Sequence, residues 1–243
     1  MTDATAGMTS GRRVGIMGGT FDPIHRGHMD LGCAAESAIG LTRLCLLPVN
    51  IPPHRAQPFA SSYHRFAMVA LAVSGHARWQ ATDLELQHPT PSYTSSTLDR
   101  LHRHGYAPSE LFFVIGADSF AEIETWKDYP AILDGANFAV VSRPGCSIEE
   151  LPRRLPLLSS RMARAPITAS RDAEPLIILI DAMTANVSST AIRMRRASGE
   201  PITGLVDPRV EQHIEQHGLY SFPTERRRGA DRPLDEAAGG MHG

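Results

Sequence analysis

The chain has 243 residues, 42% of them hydrophobic and 21% charged, with a formal net charge of −2 at pH 7. That is the composition of a globular protein with a full core, and it excludes a general electrostatic attraction to nucleic acid or to a membrane surface. No apolar run approaches the length of a membrane span and Met1–Arg12 lacks the hydrophobic centre of a secretory signal, so a cytoplasmic protein is expected.

In chain order, a short apolar strand is expected at Val14–Met17 and an Ala-rich helix at Met29–Ile39. Between them lies Gly18-Gly-Thr-Phe-Asp-Pro-Ile-His-Arg-Gly-His28, a strand-to-helix turn. Gly18 and Gly19 let a ligand approach the backbone, and the N–H groups and dipole of a helix start favour an anion. His25 and His28, three residues apart, share one side of that helix and can donate hydrogen bonds to phosphate oxygens. A histidine pair at this spacing also suits a metal, but no third or fourth ligand is supplied nearby, so no metal residue is assigned. Neither a P-loop nor a GxGxxG fingerprint is present.

A second strand is expected at Arg43–Pro48, followed by the proline-stiffened loop Asn50-Ile-Pro-Pro-His-Arg55. Helices are expected at Tyr63–Ser74 and Ser95–His104, the second preceded by Pro91-Ser-Tyr-Thr94. The strand Leu111–Ile115 runs into Gly116-Ala-Asp-Ser119, with Trp126 shortly after. A helical stretch at Ala131–Asp134, a strand at Phe138–Val141 ending in Ser142-Arg-Pro-Gly145, a strand at Leu176–Ile180 and a helix at Ser189–Ser198 complete the pattern. Ser188, Ser189 and Thr190 open that last helix with hydroxyls and N–H groups directed outward, and Arg193 lies one turn further on, able to fork onto phosphate.

This alternation implies an α/β fold, a Rossmann-like doubly wound parallel sheet with helices on both faces. Gly18–His28, Asn50–Arg55, Gly116–Ser119 and Ser188–Arg193 each follow a strand, at the carboxyl edge where such sheets bind ligands. One domain is expected over residues 12–222, with the Arg- and Pro-rich stretch 152–175 as a flexible insertion and 1–11 and 223–243 as disordered tails. Cys33, Cys45 and Cys146 are odd in number and scattered, as reduced thiols would be, and carry no assigned role.

Taken singly, the pieces have ordinary explanations: SSTAIR a capped helix, Asn50–Arg55 a turn with a surface arginine, Trp126 a half-buried anchor. Taken together, Gly19–His28 and Val187–Arg193 resemble the HxGH and SSTxIR signatures of the nucleotidyltransferase superfamily related to class I aminoacyl-tRNA synthetases. Within it, Asn50–Arg55, Pro91–Thr94, Ile115–Ser119 with Trp126, and the Arg-Pro-Gly at Arg143 are similar to segments of bacterial nicotinate-nucleotide adenylyltransferases. The resemblance spans Arg13–Tyr220, with Val187 in place of the usual Ile and Ser119-Phe120 where an apolar residue is usual.

The resemblance implies adenylyl transfer from ATP to nicotinate mononucleotide, giving nicotinate adenine dinucleotide (deamido-NAD) and pyrophosphate. It assigns catalysis to His25, His28 and Arg193, and ATP binding to these with Gly18, Gly19, Thr20, Phe21, Gly116, Asp118, Ser188, Ser189 and Thr190. Mononucleotide binding falls to Asn50, Arg55, Tyr93, Thr94, Trp126 and Arg143. Mg²⁺ is expected to arrive with ATP, and the only further partner expected is, at most, another copy of the chain. Three rivals share part of the pattern. A pantetheine-phosphate adenylyltransferase would leave the PPHR, SYT and Trp126 set unexplained. A preference for nicotinamide mononucleotide would change only the acceptor. A nonenzymatic nucleotide sensor or RNA-binding module on the same fold would not need both histidines and Arg193.

Overall fold

The computed structural model describes residues 12–53, 57–166 and 174–221. The expectations for Arg55, 1–11 and 223–243 lie outside these residues. Seven strands form one parallel sheet: β1 Val14–Gly19, β2 Arg43–Pro48, β3 Trp79–Ala81, β4 Leu111–Gly116, β5 Asn137–Val141, β6 Met162–Arg164 and β7 Ile177–Ile180. Their order is β3-β2-β1-β4-β5-β7-β6, so the chain winds outward from β1 in one direction and then from β4 in the other. The expected doubly wound sheet is the observed one.

The helices are α1 Arg26–Ile39, α2 Ser62–Val73, α3 Thr94–Arg103, α4 Ala117–Phe120, α5 Leu151–Arg154, α6 Ser189–Ala197 and α7 Pro208–Gln216. Alternation along the strands divides the core in two. Phe112, Val114, Ala139, Val141 and Ile178 point to the face covered by α1, α2, α6 and α7, whereas Leu111, Phe113, Phe138, Val140 and Ile177 point to the face holding Leu98 of α3 and Phe120 of α4. Burial on both faces explains why these strands read as continuous apolar runs. No helix among the described residues is long and apolar enough to cross a membrane.

The stretch 152–175 departs from expectation over its first part. It carries most of α5, a 3-10 turn at Pro156–Arg161 and the edge strand β6 paired with β7. Leu151, Leu155 and Leu158, at helical spacing, are all buried beneath it. Arg161 is spent on structure as well, donating to the carbonyls of Leu133 at 2.6 Å and Pro175 at 3.0 Å. Residues 167–173 lie outside the described residues.

Candidate active site

The chain reverses its winding between β1 and β4, and the crevice at that switch is where an open parallel sheet binds ligands. The loop leaving β1 fills one wall. Phe21 takes a left-handed φ of 48°, and Gly19 is required beside it because a Cβ there would lie 2.9 Å from the Phe21 ring. His25 caps α1 in extended conformation, and its backbone N–H donates to Nδ1 of His28 at 3.2 Å. The two imidazoles stack with centroids 3.8 Å apart, and Phe21 meets His28 edge-on at 5.0 Å.

His25 is 4% exposed. Burial, aided by the charge of Arg143, pushes its imidazole down to about 4, so at neutral pH it is an uncharged donor and acceptor. Its buried Nδ1 meets no hydrogen-bond partner among the described residues. An unmet polar atom of this kind costs on the order of 1–3 kcal/mol, which a ligand atom could recover. Gly27 explains itself sterically: a Cβ would sit 3.0 Å from Arg143 Nη1 and 3.2 Å from the Ala185 carbonyl. Arg143, which the resemblance gives to the mononucleotide, has Gly27, His25 and Gly116 as neighbours, beside the paired histidines.

The second signature is fastened directly to the first. Ser188 caps α6 by accepting from the Ala191 N–H at 3.1 Å, but the Ser189 hydroxyl does not point outward as expected: it donates to the Pro23 carbonyl at 2.9 Å. Arg193 Nη1 donates to the Asp22 carbonyl at 2.8 Å and Nη2 to the Thr190 hydroxyl at 3.1 Å, while the guanidinium covers the Phe59 ring at 4.8 Å. Thr190 itself is exposed at the crevice. On the opposite wall, Gly116 ends β4 and Asp118 is exposed in the first turn of α4, its carboxylate folded back where a Gly116 Cβ would otherwise stand 2.5 Å away.

Three residues brace this wall; Asp22 lies inside the first motif, and Arg65 and Tyr220 carry no signal of their own in the sequence. Asp22, 3% exposed, accepts from the backbone N–H groups of Phe59 at 2.8 Å and Ala60 at 3.1 Å and from the Tyr220 hydroxyl at 2.8 Å. Burial and the Asp22 charge raise the Tyr220 phenol far above its ordinary range, so it stays a donor. Arg65, 1% exposed, donates to the carbonyls of Thr20 at 2.9 Å, Val49 at 2.7 Å, Ala60 at 3.3 Å and Asn50 at 3.4 Å. It therefore ties the loop after β1 to the loop after β2.

The other end of the crevice is assembled from loops. The Asn50 N–H donates to the Ser92 hydroxyl at 3.0 Å, its side-chain amide to the His88 carbonyl at 2.7 Å, and Ile51 bridges Pro91. Asn50 thus staples two loops together. Beneath them Glu85, 4% exposed, accepts from the Thr97 hydroxyl at 2.7 Å, and burial raises its carboxyl. Tyr93 caps α3, with Thr94 its first residue. Lys127 lies over the Tyr93 ring at 4.7 Å, and its neighbour Trp126, half-buried, packs edge-on against Phe113 at 6.1 Å. The structure thereby brings Asn50, Tyr93, Thr94 and Trp126 to one end of the crevice.

A parallel sheet with paired histidines at one switch-point helix and a capped Ser-Ser-Thr helix bound to the same loop defines a nucleotidyltransferase, and residues 16–195 match the cytidylyltransferase-like family. A protein of Pectobacterium atrosepticum named "probable nicotinate-nucleotide adenylyltransferase" is 40% identical over 206 residues, covering 84% of this chain and 97% of its own. One of the same name from Cronobacter sakazakii is 40% identical over 204 residues, covering 84% and 93%. The structure of Plasmodium falciparum nicotinic acid mononucleotide adenylyltransferase complexed with NaAD shares the fold, with a TM-score of 0.64, 18% identity and coverage of 86% of this chain and 97% of that one. The chain belongs to the nicotinate-nucleotide adenylyltransferase family.

Proposed function

We propose that the protein transfers the adenylyl group of MgATP to nicotinate mononucleotide, forming nicotinate adenine dinucleotide and pyrophosphate. The observation that carries this reading is the joining of the two signatures: Arg193 and Ser189 are hydrogen-bonded to the Asp22-Pro23 turn that presents His25 and His28. In this reading, groups far apart in the chain that are suited to phosphate are held in one place before substrate arrives.

In the proposed reaction a 5′-phosphate oxygen of the mononucleotide attacks the α-phosphorus of ATP in line. The new P–O bond forms as the bond from the α-phosphorus to the bridging oxygen breaks, and that oxygen leaves with its electron pair on pyrophosphate. The nucleophile is already an anion, so no general base is needed and catalysis rests on alignment and electrostatics. His25, uncharged in the free protein, offers a ring nitrogen to a phosphate oxygen, and negative charge gathering beside it favours its protonated form. His28 and Arg143 stand next to it, and Arg193 with the start of α6 is suited to the β and γ phosphates. Mg²⁺ belongs to the substrate in this reading. Asp22, the carboxylate inside the first motif, is already taken by three donors, which suits a cation held by ATP oxygens and water.

At the other end Trp126 offers a flat surface for the pyridine ring. Lys127 beside it places a cation there, which favours the acid over the uncharged amide. Product identification by mass spectrometry after incubation with MgATP and an equimolar mixture of nicotinate and nicotinamide mononucleotides tests the proposal. Deamido-NAD as the dominant dinucleotide is the expected result; NAD as the dominant one would overturn the acceptor assignment.

A further inference from the structure

Away from the crevice, α2 and α7 lie side by side, and three histidines far apart in sequence converge where they touch. His213 and His217 are one turn apart at the end of α7 and share a face. His64 enters from the first turn of α2, with Nδ1 3.1 Å from Nε2 of His213. The ring centroids of His64 lie 5.3 Å from His213 and 4.8 Å from His217, and those of His213 and His217 are 4.4 Å apart. One ring nitrogen from each residue falls within 4.8 Å of the others. Imidazole nitrogens bound to one tetrahedral ion at roughly 2.0–2.1 Å stand about 3.4 Å apart, so ring rotation alone could close this set.

We propose that His64, His213 and His217 form a binding site for a borderline divalent cation of the zinc class, with the remaining position left to solvent at the exposed His217 edge. The donor chemistry is specific: three imidazoles suit Zn²⁺, Cu²⁺ or Ni²⁺ and disfavour Mg²⁺, which takes oxygen ligands. Burial and the two facing imidazoles also push the pKa of His213 down, toward the neutral form that ligates. The place in the fold gives such an ion a consequence. His64 precedes Arg65, and α7 leads into Tyr220, so both elements the ion would join reach the loop around Asp22. Clamping α2 to α7 would hold the brace behind the phosphate wall.

The test uses the untagged full-length chain, stripped with chelator, and titrates Zn²⁺ by calorimetry and Co²⁺ by its visible absorption. The expected result is one ion per chain with micromolar or tighter affinity, and a Co²⁺ spectrum of low-coordinate character. Zn²⁺ at a hundredfold excess over its dissociation constant should multiply the folded-to-unfolded ratio about a hundredfold and raise Tm by several degrees. His213→Gln and, on the other helix, His64→Gln should each abolish both effects while leaving the circular dichroism of the metal-free chain unchanged. Absence of tight binding by the parent chain, or binding retained in both variants, would overturn the site. Neither readout depends on adenylyl transfer.

Discussion

The phosphate wall and the acceptor end of the crevice are built on different principles. At the first, eleven consecutive residues, Gly18–His28, enter α1 and are locked from behind by Arg65 on the Thr20 carbonyl and by Tyr220 on the Asp22 carboxylate. At the second, single residues from three separate loops meet, half-buried, through a few staples such as Asn50 to Ser92 and Lys127 over Tyr93. In the proposed reaction, a centre that tolerates little displacement is pre-organised by burial, and selection of the acceptor falls to loops that can vary without disturbing it.

That contrast is most sharply broken at Arg65, a side chain that ties the loop after β1 to the loop after β2. Arg65→Ala leaves the Thr20, Val49, Ala60 and Asn50 carbonyls without their shared donor and should cost about 3–5 kcal/mol in urea unfolding. A loss under 1 kcal/mol would show that the two walls are held independently. His28→Ala acts on the phosphate wall alone and should lower kcat by about 10²–10³ with mononucleotide affinity retained, as steady-state and binding measurements would reveal.

His25 gives the same wall a pH signature. Its folded pKa of about 4 lies below the ordinary value of 6.5, so the unfolded chain takes up the extra proton between these limits and stability falls as pH drops from 6.5 to 4. The loss attributable to this residue approaches about 3 kcal/mol by pH 4, and His25→Asn should remove that part of the slope in urea midpoints measured at pH 7 and 4.5. The smallest effect belongs to the acceptor end: Trp126→Ala should raise the KM for the mononucleotide about tenfold, with kcat changed less than twofold. Equal losses in kcat would erase the division between the two ends.

The sheet was legible because its central strands are buried on both faces and read as apolar runs between turn residues. β3 and β6 escaped because three residues carry no period, and β6 lies among arginines and prolines that suggested an insertion. Leu151, Leu155 and Leu158 were the available sign that this stretch is anchored. α7 was missed as well, although Asp207 at its N-cap, with proline at N1, precedes Val210 and Ile214. The phosphate wall was readable since its residues are contiguous; its brace was not. Arg65 sits in an ordinary helical sequence, and only the fold shows its guanidinium buried among carbonyls. The three histidines of α2 and α7 escaped for the same reason, being 149 and 153 positions apart across the helix contact.

Pyrophosphate release from MgATP, followed with nicotinate mononucleotide, nicotinamide mononucleotide and phosphopantetheine at equal concentration, tests the proposed activity most directly. Rapid release with nicotinate mononucleotide, far slower release with the other two, and a drop of at least a hundredfold in His28→Ala is the expected outcome. Fastest release with phosphopantetheine or nicotinamide mononucleotide, or a fully active His28→Ala, would contradict the assignment of the two ends.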